Sequence, residues 1–302
     1  MISEARLLSD VRDGLKQSGL RASIVVRDLD SGREIVLEGD VPMPAASLAK
    51  IPLALAVLER IQAGTIDPAE ARVVAGGRSA SPGIGRFEHP ATIAVADLIS
   101  LALTISDDAA ADALLELVAP DEVTAHVAGL RVRGITVRRG FGELWDTPLE
   151  HLDPKEAHLA HTLAIRGSTP AHGHPIPQLD VARTNTGTAC AWADLLEAIW
   201  RHRRVRPAVA AAIQGHMRGN VFRQRLAPDF LADDTRWYSK TGTVLNLRHE
   251  AGVVEHDDGS RIAVVVLSSS SVPATDQPAA EAALGAAARR LHDAVRDRVI
   301  RT

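Results

Sequence analysis

Apolar and polar residues alternate at the two ends of this chain and recur at helical spacing between them, a division that limits the folds open to it. Near the N-terminus, ASIVVRDL and REIVLEG are joined by Asp30-Ser31-Gly32, a turn-forming trio between two strand-like runs. They predict a hairpin, preceded by a helix ending near Gly19. From Ser47 the period becomes helical: SLAKIPLALAVLERIQAG ends at Gly64, and ADLISLALTI, AAADALLELV and CAWADLLEAIWR follow. WYSKTGTV, HEAGVVEH and RIAVVVLSSS then read as strands, the last two joined through Asp257-Asp258-Gly259, before an Ala-rich helix from about Ala279 to Val299. The expected fold is α+β. One antiparallel sheet draws on both ends of the chain, the two terminal helices flank it, and an all-helical subdomain is inserted. We divide a single domain into an α/β part, residues 1–45 and 225–302, and a helical part, residues 46–224, with an elaborated loop over 140–188. In that loop Pro, Gly and five of the twelve histidines gather around one helical stretch, PKEAHLAHTLAI.

Composition excludes several classes. The 302 residues are 46% hydrophobic and 24% charged, which suits a folded globular chain and not a disordered one. A net charge of -4 lacks the basic excess of a general nucleic-acid binder. The single Cys190 rules out an internal disulfide and a zinc site of several thiolates, and reads as a small core residue. MISEARLLSDVRDGLKQSGL has no apolar core of the secretory kind, so the expected location is the cytoplasm, and no apolar run is long enough to predict a membrane span. The expected partner is a small-molecule substrate, with no nucleic acid and no membrane. The sequence leaves the oligomeric state open.

Three short elements carry the chemistry. Ser47 and Lys50 lie three residues apart at a helix start, on one face, where orphan N–H groups favour a developing oxyanion. Read alone, the pair also suits a helix cap and a solvated lysine. Ser106-Asp107-Asp108 stands 59 residues after Ser47 between two helical runs and, alone, reads equally as an N-cap with acidic first-turn residues. Lys240-Thr241-Gly242-Thr243 lies on an expected strand, where the glycine lets a ligand approach the backbone. Only four lysines occur, Lys16, Lys50, Lys155 and Lys240, and two of them fall in these elements.

In this order the elements match the Ser-x-x-Lys, Ser-Asp-x, Lys-Thr-Gly set, and the chain resembles the penicillin-recognising serine hydrolases, the class A β-lactamases most closely. SLAKIPL, SPGIGRF, VADLISLALTISDDAAADALL and SKTGTVLNLRHEAGVV extend the resemblance over about residues 20–135 and 183–300. It implies Ser47 as nucleophile and Lys50 as the group sharing its proton. It implies Ser106 as relay to the leaving atom and Lys240 as a second cation that lowers the first amine. It implies an oxyanion hole at the N–H groups of Ser47 and Thr243, and a substrate carboxylate facing Lys240, Thr241, Gly242 and Thr243. Arg248 is a further candidate anchor, its alternative being a solvated strand arginine. The implied reaction is hydrolysis of a carboxylate-bearing lactam, amide or ester through an acyl-serine, with β-lactams the default. An esterase or peptidase with little β-lactamase activity, and a non-catalytic binding protein, are the alternatives. No cofactor is expected.

Two features depart from the resemblance. Asp108 stands where the family has Asn, and a carboxylate cannot donate to a substrate carbonyl. The family's loop motif Glu-x-x-Leu-Asn, which supplies a water-activating base, is missing. Glu143, followed by Trp145-Asp146-Thr147, is the candidate for that base, its alternative being a solvated loop glutamate. The interval of 134 residues from Ser106 to Lys240 is about thirty longer than usual and coincides with the irregular loop. His158, His161, His172 and His174 lie in it, and we read them as solvated or helix-lining and expect no metal site. Trp192, Trp200 and Trp237 suit core or cleft packing.

Overall fold

Five strands from the two ends of the chain form one antiparallel sheet in the computed structural model, which describes residues 3–76, 81–144, 153–167, 173–232 and 234–299. They are β1 (Leu20–Asp28), β2 (Glu34–Leu37), β7 (Thr235–Val244), β8 (Leu247–His256) and β9 (Arg261–Ser270), in the order β2-β1-β9-β8-β7. Asp28 shapes the first hairpin by accepting from the backbone N–H of Asp30 at 2.8 Å and of Ser31 at 3.2 Å. β1 pairs with β9 across the full length of the chain, Ile24 opposite Val266 and Val26 opposite Val264.

Both faces of this sheet are covered, so β9 reads as an almost continuous apolar run. On one face Ile24, Val26, Val264 and Val266 pack with α1 (Glu4–Gln17) and the terminal helix α10 (Pro278–Val299) through Val11, Leu15, Leu284 and Leu291. On the other, Val25, Ala263 and Val265 join a larger core with α2 (Lys50–Gln62) and α7 (Ala189–Trp200). Each large aliphatic side chain so buried contributes about 2 kcal/mol. The expected α+β architecture is the observed one.

Between the sheet segments lie α3 (Val95–Thr104), α4 (Asp108–Leu115), α5 (Pro120–Gly129), α6 (Ala157–Arg166) and α8 (Pro207–Arg218), with a short turn of helix, α9 (Ala227–Phe230). Proline stands at the first position of α5 and α8, where its missing N–H is harmless. Two two-stranded pairings and one isolated bridge lie outside the sheet: β3 (Met43–Pro44) with β6 (Thr186–Gly187), β4 (Ala71–Val74) with β5 (Ala91–Ala94), and Thr136 with Thr186. One start differs from expectation. α2 begins at Lys50, and Ser47 sits in a preceding 3-10 turn, Ala46–Ala49, which the chain enters through Ala46 at φ +46°.

Candidate active site

Lys50 opens α2 and is completely buried, so its ammonium must find partners inside the protein. It donates to Ser47 Oγ at 3.3 Å, to the Ser106 carbonyl at 2.6 Å and to Ser106 Oγ at 3.3 Å, and it forms an ion pair with Asp108. The Phe141 ring covers it, its centroid 5.0 Å from Nζ. Ser47 is itself 9% exposed and opens on the cleft. Strain marks both serines: Ala46 just before Ser47, and Ser106 with φ +61°, hold left-handed backbone without being glycine.

The turn carrying Ser106 is anchored by its neighbour. Asp107 caps α4, accepting from Ala110 N–H at 3.1 Å and from Ile84 N–H at 2.7 Å. Gly83 has φ +98°, and any side chain there would collide with the Asp107 carboxylate. Burial pushes the Asp107 carboxyl up, against those hydrogen bonds. Asp108, the first residue of α4, is buried and fixed at its backbone by the Ser81 hydroxyl at 3.0 Å.

Across the cleft, β7 is the sheet edge that faces the Ser47 turn. The two-residue turn Leu245–Asn246 makes Val244 and Leu247 a hydrogen-bonded pair, so Thr243 and Arg248 form the next, wide pair. The Arg248 carbonyl accordingly turns toward β9, where Ser268 donates to it, and the Thr243 N–H turns off the open edge. Gly242 permits the approach: a Cβ there would stand 3.0 Å from the Ala45 carbonyl. Lys240 is buried and donates to Ser106 Oγ and to the Thr241 carbonyl, each at 2.9 Å. Burial first, and then the Lys50 cation, hold the Lys240 amine well below the usual lysine range. Ser106 Oγ thus lies between two amines.

The cleft, about 210 Å³, is lined by Ser47, Ser106, Asp108, Thr241 and Thr243, together with Phe222 and Arg225. Arg225 escaped the sequence reading because it lies in none of the three motifs. Its guanidinium donates to Thr243 Oγ1 at 2.7 Å and to the His249 carbonyl at 2.9 Å, and it pairs with Glu281 at 2.9 Å. Arg248 is not brought to the cleft. Its buried guanidinium turns to the carbonyls of Leu245, Leu247 and Thr275 at 2.6 to 2.8 Å, bracing the β7–β8 turn.

Nor does Glu143 reach Ser47. Its side chain is 53% exposed, pairs with Arg139 at 3.5 Å and does not line the cleft. The cause lies one helical turn beyond Asp108. The half-buried Asp112 carboxylate accepts from the N–H groups of Phe141 at 2.6 Å and Gly142 at 2.8 Å, fixing the loop so that Phe141 turns inward over Lys50 and Glu143 outward. Trp145, Asp146, Thr147 and His172 lie outside the described residues. Among the described residues no group of three or more metal-ligating side chains is arranged to hold an ion. His174 is buried and committed to the Ala164 carbonyl and the Ile176 N–H, each at 3.0 Å, and burial pulls the His161 imidazole down. Burial and Asp40 push the Cys190 thiol up to about 11, and Trp192, Trp200 and Trp237 are core residues. No helix of the described residues is long and apolar enough to cross a membrane.

Comparison with known proteins identifies the family of the chain. The β-lactamase enzyme family model matches residues 6–295. The β-lactamase regulatory protein BlaB of Streptomyces cacaoi is 48% identical, over 98% of this chain and 100% of that protein. Among solved structures, a variant of the penicillin-binding protein PBP-A in its acyl-enzyme complex with penicillin G superposes with a TM-score of 0.75 at 18% identity, covering 97% of each chain. A β-lactamase from Sphaerobacter thermophilus DSM 20745 superposes equally well at 20% identity, over 97% of this chain and 98% of that one. These two likenesses speak to fold alone. With the family model spanning nearly the whole length and the regulatory relative aligned end to end, the chain belongs to the β-lactamase enzyme family.

Proposed function

We propose that this chain is a covalent β-lactam receptor: it opens the lactam at Ser47 and retains the acyl group, serving regulation and not rapid hydrolysis. The observation that carries the proposal is the lining of the cleft. Among the described residues its one carboxylate is Asp108, which is bound to Lys50, while the Phe141 ring covers Lys50. No described carboxylate is placed to activate a water for deacylation.

Acylation has the groups it needs. Ser47 Oγ attacks the lactam carbonyl carbon, and the N–H groups of Ser47 and Thr243 take up the oxyanion. The ring C–N bond breaks, and the serine proton passes to the departing nitrogen through Ser106. Lys240 suits this relay because its amine is held low beside Ser106 Oγ and can exchange a proton with it. Lys50, ringed by acceptors, acts as a donor that orients both hydroxyls. Arg225, Thr241 and Thr243 then carry the substrate carboxylate. The regulatory role is named for the Streptomyces cacaoi relative, and we extend it to this chain as part of the proposal.

The test is intact mass spectrometry after incubation with penicillin G, with Ser47→Ala as control. One adduct that persists for hours, absent from Ser47→Ala, is expected. Turnover many times per minute would make the protein a β-lactamase, and turnover confined to an activated ester would make it an esterase. Absence of both adduct and turnover would leave a non-catalytic binder.

A further inference from the structure

The elaborated loop is not absorbed by the chemistry at Ser47, yet its residues Ala164, Ile165, His174 and Leu179 form one wall of a separate cavity of about 660 Å³. Ala164 and Ile165 of α6, with His174 and Leu179, face α1, the start of β1 and the β7–β8 turn. The cavity runs between two apolar clusters, one containing Leu15, Leu20 and Leu37 and the other Leu179 and Leu247, and neither closes over it. The space is half open to the surface, and its volume is in the range of ligand pockets. Its apolar walls are aliphatic, with no Phe, Tyr or Trp among the lining residues. Lys16 and Arg21 stand at its exposed rim, with no carboxylate partner among the described residues.

We infer that this cavity is a second ligand site, for a small free amphiphile with an aliphatic body and an anionic head such as a carboxylate or phosphate. The body replaces the missing packing between the clusters, and the head meets Lys16 and Arg21. The site touches both main-chain segments that carry the oxyanion donors. Met43 and Pro44 in its wall lead through Ala45 and Ala46 into Ser47, and Asn246 and Leu247 close the hairpin that carries Thr243. The Pro44 carbonyl is tied to His249 Nε2 at 2.8 Å, a direct link between the two segments. Occupancy therefore tunes acylation at Ser47, a consequence that rests on the receptor reading, whereas the binding site itself does not.

Titration calorimetry with decanoate, decyl phosphate and neutral decanol tests the site. We expect one saturable site for the two anions. Lys16→Glu with Arg21→Glu should weaken both anions at least tenfold and leave decanol within twofold. Ala164→Trp, which fills the cavity, should abolish binding, and where that variant does not fold, Ala22→Phe occupies the same space. Ser47→Ala should bind decanoate as the parent does. No saturable binding, or binding indifferent to the rim charges and to the filled cavity, overturns the site. Loss of decanoate binding after acylation by penicillin G, with no loss in Ala164→Trp, would place the ligand in the Ser47 cleft and overturn it equally. For the coupling, a saturating concentration of decanoate should change the rate of adduct formation at least threefold. An unchanged rate with decanoate bound removes the coupling and leaves the site, and a parent that forms no adduct fails the receptor reading alone.

Discussion

Asp108 does two things that an asparagine in its place could not: it gives a buried ammonium its counter-charge, and it presents only acceptors to the cleft. Removing one member of a buried ion pair is costly because the other charge stays behind, so Asp108→Ala should lower stability by about 3 kcal/mol. Asp108→Asn keeps the volume and an acceptor and should cost less than half as much, by urea midpoint. The same asparagine leaves the proton route through Ser106 and Lys240 in place, so the rate of adduct formation should stay within about threefold of the parent. A rise of roughly a hundredfold would show instead that Lys50, once released from its carboxylate, is the base for Ser47. Phe141 argues the complementary case. Phe141→Glu puts a carboxylate beside Lys50, which touches Ser47 Oγ, and the adduct should then be lost roughly a hundred times faster. If its lifetime does not change, the ring is not what prevents deacylation.

At the scale of elements, strands and helices were legible from apolar runs bounded by turn and cap residues, although burial runs unbroken over Ser23–Asp28 of β1 and Lys50–Val57 of α2, which lie between packed layers. The Ser47 and Lys50 pairing was legible because residues three apart share a helix face. Side chains whose direction depends on distant partners were not. Arg248 lies in the expected strand, but its guanidinium follows the carbonyls of the β7–β8 turn, which no local pattern encodes. Glu143 turns away from the cleft because Asp112, on α4, binds the N–H groups of Phe141 and Gly142 and sets the phase of the loop. Arg225 had no motif around it.

His249 belongs to this scale because it ties three elements. Its Nδ1 accepts from Ser268 N–H on β9 at 3.0 Å, and its Nε2 therefore donates to the Pro44 carbonyl on β3. Burial holds this imidazole down to about 4, against an ordinary value of 6.5, so the folded protein keeps it neutral where the unfolded chain would take a proton. Its contribution is complete above about pH 6.5 and is lost as the pH falls toward 4. At 1.4 kcal/mol per unit the loss is about 3 kcal/mol. Urea midpoints at pH 7.5 and pH 4.5 should show that loss in the parent. His249→Gln should show a smaller drop between the two pH values, and equal drops would place the acid sensitivity elsewhere, for instance at the buried His256–His292 contact.

On the scale of the whole molecule, the cleft is shared between parts that the chain brings together late. Ser47, Lys50 and Ser106 come from the helical stretch, whereas Lys240 and Thr243 ride on β7, an edge strand held by β8, β9 and, through β9, by β1 at the other end of the sequence. Such long-range pairing costs loop-closure entropy before it yields contacts, so the sheet depends on the two terminal helices that cover its outer face. Leu284 of α10 is fully buried there with Ile24 and Val264. Leu284→Ala should cost about 3 kcal/mol, as truncation of a buried leucine does. It lies on the far face of the sheet from Ser47, so its effect on the cleft discriminates between two kinds of molecule. If sheet and helices unfold as one unit, tryptophan fluorescence and the capacity to form the penicillin adduct will be lost at one urea concentration in the parent, and at one lower concentration in Leu284→Ala. Should adduct formation survive beyond the fluorescence transition, the helical part would hold Ser47 and Lys50 in place without the sheet, and the role given to Lys240 and Thr243 would fall with it.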